Sequence, residues 1–67
     1  MPHEADAMIE SVWMGKTVRQ VAGLDRLIGR TGIVLHTFFD ENGALHCKMD
    51  AGAEAWWCPA ALLTIVE

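Results

Sequence analysis

The sequence has no tyrosine, and its aromatic content rests on three tryptophans and two phenylalanines. Cysteine is scarce. Cys47 and Cys58 are the only two, too few for the disulfide framework of a small secreted domain. The opening Met-Pro-His-Glu-Ala-Asp has neither a basic n-region nor an apolar h-region. Together these absences predict an intracellular, cytoplasmic setting in which both thiols are reduced and packed as small hydrophobes. Basic residues are also few: five Lys and Arg stand against nine Asp and Glu, a net charge of −4 with His neutral. Non-specific binding to nucleic acid depends on neutralising phosphates, so this balance argues against it. It argues equally against an anionic membrane surface. No apolar run approaches the roughly 20 residues of a spanning helix, so no membrane insertion is expected. There is no internal repeat and no low-complexity tract.

What is present is an apolar excess in a short chain. A chain of 67 residues holds one domain at most. A chain of this size buries only about 60% of the surface that its unfolded form exposes, which leaves it marginally stable. Hydrophobic residues make up 52%, above the average of roughly 45–50% for globular domains. The excess predicts apolar surface that meets a partner, so an oligomer or an obligate complex is among the expectations.

The chain is organised around Gly32 to Met49, where two apolar runs flank Asp40-Glu41-Asn42-Gly43. Asn-Gly is a strong hairpin signal because both residues tolerate positive φ. Ahead of this hairpin, residues 1–15 read as a tail or a short helix over Ala7 to Val12, with Asp6 as its cap. Lys16 to Ala22 reads as a first strand ended by Gly23. Leu24, Leu27 and Ile28 then form a loop or helical turn that tucks under the sheet. Ile33 to Phe39 is a second strand, apolar on both faces apart from His36 and Thr37. Ala44 to Met49 alternates cleanly, with Leu45, Cys47 and Met49 on one face and His46 and Lys48 on the other. Ala55 to Cys58 makes a short fourth strand. Pro59 to Leu62 suits one tight helical turn, and Leu63 to Val66 a fifth strand. The fold class predicted is all-β: an SH3-like barrel of five strands over residues 16–67, with a short 3-10 turn before the last strand and closure removing most edges.

Three segments then carry a resemblance. They are Leu27-Ile28-Gly29-Arg30-Thr31-Gly32-Ile33-Val34, Asp40-Glu41-Asn42-Gly43-Ala44-Leu45 and Trp56-Trp57-Cys58-Pro59-Ala60-Ala61-Leu62. Their order resembles the SH3-like repeats of mind bomb and Keep-on-going type ubiquitin ligases, over about residues 16 to 67. The resemblance implies a scaffold-like module that binds peptide segments of other proteins. The chain departs from that family in having Ala55 where an aromatic is usual and in its adjacent tryptophans. It also has one repeat only and no RING-type Cys/His cluster, so ligase activity does not carry over. Gly29-x-x-Gly32 followed by Ile-Val is also similar to a KOW element, which implies the alternative of an RNA-associated component of a ribonucleoprotein.

Chemistry is sparse. His36, His46, Cys47 and Cys58 lack the short-spaced ligand pairs of a zinc site, and adjacent His46 and Cys47 point to opposite faces of a strand. Cys58 precedes a helical turn, but nothing supplies an oriented base and a third member for nucleophilic catalysis. No metal, cofactor or enzymatic activity is expected. The informative residues are the aromatics. Adjacent aromatics on a strand face opposite ways, which sends Trp57 and Phe39 inward and Trp56 and Phe38 outward, with the register open by one residue. Trp56, Phe38 and Trp13 are the expected partner-binding residues, since exposed aromatics anchor interfaces. The competing account is that the N-terminal segment folds back and covers them. Arg19, Arg26 and Arg30 beside an exposed tryptophan would be the basis of RNA binding.

Overall fold

A computed structural model describes residues 4–66 of the chain. One helix precedes five strands: α1 (Glu4–Trp13), β1 (Thr17–Gln20), β2 (Thr31–Phe39), β3 (Leu45–Asp50), β4 (Ala55–Pro59) and β5 (Leu63–Ile65). Single 3-10 turns lie at Asp25–Leu27 and Ala60–Leu62. The strands form one antiparallel sheet in the order β4-β3-β2-β1-β5. The helix α1 begins at least two residues ahead of Asp6, so Asp6 lies inside the helix and does not cap it. Of residues 1–15, expected as a tail or a short helix, residues 1–3 lie outside the described residues. Among the described residues no helix is long and apolar enough to cross a membrane.

The sheet does not close into the expected barrel. β4 and β5 stay at opposite edges of the sheet, and no strand pairing joins them among the described residues. The sheet is nevertheless strongly curled. In a flat sheet β4 and β1 would lie about 14 Å apart, three strand spacings. Instead Trp56 of β4 donates its Nε1–H to Oε1 of Gln20 on β1, at 2.8 Å. Gln20 is only 3% exposed, and its own amide donates to the Ala22 carbonyl at 3.0 Å. Both halves of this buried side chain are therefore satisfied, which is what makes its burial tolerable.

The concave face holds the core: Val18, Val34, Leu45, Cys47, Met49, Cys58 and Leu63, with Trp13, Phe39 and Trp56 packed against it. β2 is apolar on both faces: Val34 is buried and Phe39 packs on the core, while Ile33, Leu35 and Phe38 stay exposed. The pairing slips between Val34 and His36, so Leu35 is an extra residue in a bulge. Before the bulge Val34 faces Met49. After it Thr37 and Phe39 face Cys47 and Leu45, and inward positions have moved by one. Of Leu24, Leu27 and Ile28, only Leu27 is buried.

Two turns set the registers that matter. At β2–β3 only Gly43 takes positive φ (82°), and Asn42 does not. The loop is a three-residue one in which Asp40 N–H donates to Ala44 O at 2.9 Å and Gly43 N–H to Asp40 O at 3.0 Å. At β3–β4, Ala51 N–H donates to Glu54 O at 2.9 Å, and Gly52 takes φ 93° at the first central position, as a type II′ turn requires.

Candidate functional site

The convex face of β2, β3 and β4 carries the exposed aromatic surface. Register brings His36 opposite Lys48, which lies opposite Trp57. In the next row Phe38 lies opposite His46, which lies opposite Pro59. Phe38 and His46 stack, with ring centroids 4.9 Å apart and planes 9° from parallel. Phe38 and Trp57 meet edge-on at 5.0 Å and 70°. Phe38 remains 45% exposed and Trp57 48% exposed. Two aromatic rings and an imidazole thus form one contiguous platform held in place by each other, which limits the rotamer freedom a ligand would have to freeze.

His46 is fixed from its other side. Its Nε2 lies 2.8 Å from Oδ2 of Asp40. The other carboxylate oxygen of Asp40 accepts from the Asn42 and Ala44 amides, both at 2.9 Å. The His46 hydrogen bond, then the Ala44 amide, hold the Asp40 carboxyl below its ordinary value of 3.8. One turn residue therefore orients both the loop and the stacked imidazole.

The expected orientations are half right. Phe39 packs inward and Phe38 outward, as read from the sequence. The tryptophans are reversed: Trp56 lies opposite Met49 on the concave face, and Trp57 faces out. Counting through the turn explains this. With Ala51 paired to Glu54, Met49 pairs with Trp56, and Met49 is fully buried. Trp13 also turns inward, packing on the core as α1 folds back along β2. Thr37 Oγ1 donates to Glu10 Oε2 at 2.6 Å and pins the helix there. Of the three residues expected to contact a partner, Phe38 alone is on the outer platform; Trp57, His46 and Lys48 complete it.

Of Arg19, Arg26 and Arg30, the basis of the RNA-binding alternative, Arg30 does not stand beside an exposed tryptophan. Arg30 pairs with Glu54 and sits 5.4 Å above the ring centre of inward-facing Trp56. Cys47 and Cys58 pair directly across β3 and β4, both as buried free thiols. Burial, then the neighbouring Cys58, push the Cys47 thiol from 9.0 to about 11, and burial raises Cys58 as well. Among the described residues no group of three or more His, Cys, Asp or Glu is placed to hold a metal ion. The chain was compared with protein-family models, with curated proteins and with solved structures, and none matches it.

Proposed function

We propose that the protein is a non-enzymatic interaction module, or a small subunit of a larger assembly, that binds a polypeptide on the convex face around Phe38 and Trp57. The observation carrying this reading is the contiguous Phe38–His46–Trp57 platform left open on one side of a sheet whose other side is filled. Exposed, pre-oriented aromatic rings of this kind are what interface hot spots are made of. The strand order and the 3-10 turn before β5 support an SH3-like plan left open between its edges. The sequence resemblance to peptide-binding SH3-like repeats points the same way. Lys48 beside Trp57, and His36 beyond Lys48 in the same row, add donors for the backbone or carboxylates of a bound segment.

The test is selection of binding peptides from a random library with the full chain as bait, followed by amide-shift mapping of one selected peptide. Shifts are expected at Phe38, His46, Lys48 and Trp57. Trp57→Ala should weaken that peptide by about 2 kcal/mol, with Trp56→Phe much closer to wild type. Shifts confined to another face would remove the platform from the site.

The KOW-like alternative retains one supporting observation, the pairing of Lys48 and two histidines with stacking rings on one face. Titration with an oligouridine at several salt concentrations separates the two. Binding that falls steeply with salt and saturates at the same residues would favour the RNA reading.

A further inference from the structure

The β4 edge of the sheet is left unpaired in a particular pattern. The Ala51–Glu54 bond fixes which β4 residues bond to β3, because antiparallel pairs alternate between bonded and non-bonded. Counting from it, Trp56 and Cys58 exchange hydrogen bonds with Met49 and Cys47, whereas Ala55, Trp57 and Pro59 lie at non-bonded positions. Pro59 fits that parity, having no N–H to give. The N–H and C=O groups of Ala55 and Trp57 therefore point away from the sheet, and among the described residues no backbone partner is found for them. β4 is only lightly guarded as an edge: Ala-Trp-Trp-Cys-Pro has no charge and no bulge, and Pro59 blocks it only at its last residue. The opposite edge is different. β5 has only three residues, and Leu63 spends its N–H on the Ala60 carbonyl.

We infer that β4 pairs antiparallel with β4 of a second copy of this chain, about a two-fold axis at Trp56. In this register Ala55 faces Trp57 of the other copy, and Trp57 faces the other copy's Ala55. Each such pair exchanges two hydrogen bonds, so all four free N–H groups and all four free C=O groups at Ala55 and Trp57 are used. Both residues lie on the convex face, so the large indole of one copy lies over the small methyl of the other. Pro59 falls outside the bonded pairs, so its missing donor costs nothing. With no charge in β4, the two-fold brings no like charges together within the strand. The result is a ten-stranded sheet in which the two aromatic platforms flank the axis on one face. Isologous pairing closes at two copies, which suits an edge that would otherwise invite open-ended association.

This inference does not rest on the proposed peptide binding. An interface built on one short edge is small, so the dimer is expected to dissociate on dilution. Sedimentation equilibrium of the full chain over roughly a thousandfold range of concentration should show the mass rise from the 7.4 kDa monomer toward twice that value. Ala55→Pro removes an outward N–H without touching a β3 bond, and Trp57→Lys sets a cation on each side of the axis. Each variant should keep the wild-type far-ultraviolet spectrum and remain monomeric at concentrations where wild type is dimeric. A second readout needs no variant. Amide exchange at Ala55 and Trp57 should slow as concentration rises, while Trp56 and Cys58, bonded to β3, stay protected throughout. A chain that is monomeric at every concentration overturns the inference and leaves the β4 edge to a strand from another protein. So does a dimer that both variants retain, or one that forms without added protection at Ala55 and Trp57.

Discussion

Gln20 is a buried polar residue with both halves of its side chain engaged. Its carboxamide oxygen accepts from Trp56, and its nitrogen donates to Ala22, so it ties β1 to β4 across the concave side. Replacing it with Leu keeps the volume but leaves the Trp56 Nε1–H without a partner in a half-buried site. The cost of such an orphaned donor is about 1–3 kcal/mol. Trp56→Phe removes the donor and leaves the Gln20 oxygen unpaired, so it should cost a similar amount. The double variant should then be less damaging than the sum of the two, by about 1 kcal/mol or more. Urea titrations of the four proteins give the cycle; simple additivity would mean that the bond does not hold the curl. Nothing in the sequence singles out this pair. The residues are 36 apart, and a glutamine beside Val18 in a short strand reads as one more polar position.

At the scale of elements, the β2–β3 turn makes its own pH signature. Asp40 accepts from His46 and from two turn amides, and its carboxyl lies below the usual 3.8 when folded. A carboxyl depressed in the folded state adds stability above its unfolded value, and that stability disappears as pH falls through the folded value. Asp40→Asn should therefore be less stable than wild type near neutral pH, with the gap narrowing below about pH 4. Urea midpoints measured at steps from pH 6 down to about pH 2 test this, and a gap that stays constant over the whole range would assign the effect to the Asn side chain itself. The buried thiols work in the opposite range. Cys47 is raised from 9.0 to about 11, so the stability it contributes is intact below pH 9 and lost as pH climbs toward 11. Stability of wild type should fall over that window, and Cys47→Ala should fall less. These elements were also the legible part of the chain. Leu45, Cys47 and Met49 alternate without exception, so β3 and its buried face could be read directly. β2 could not be assigned to faces by alternation, because the Leu35 bulge shifts the inward set by one and because Ile33, Leu35 and Phe38 are apolar yet exposed. The two tryptophans were equally hard. Either fits a barrel interior until the length of the Asp50–Glu54 turn is counted against Met49. That count was available in the sequence and is the signal by which Trp57 could have been found.

For the whole molecule the question is what covers a sheet that does not close. The principal extents are 35 × 22 × 18 Å, elongated for so short a chain. One part of the cover is the N-terminal helix. Met8, Ile9 and Val12 on α1 stay exposed, so the helix is not held by burial of a broad apolar stripe. It is held by Trp13 packing on the core, by the Glu10–Thr37 hydrogen bond, and by Gly15 N–H donating to Val34 O at 2.9 Å just beyond it. A ten-residue helix has little stability of its own, so its order depends on this docking. Trp13→Ala would remove the indole that packs on the core. Truncating a buried aromatic costs about 3–5 kcal/mol in a full core, and a half-buried one should cost near or below the low end. A core in a chain this short supplies about 3–5 kcal/mol in total. Trp13→Ala should therefore consume most of the margin. The expected result is a urea midpoint shifted far down, with loss of helical signal in the far ultraviolet ahead of loss of the sheet. A variant that loses the helix and keeps the wild-type midpoint would show instead that the curled sheet is self-sufficient and that α1 is only appended to it.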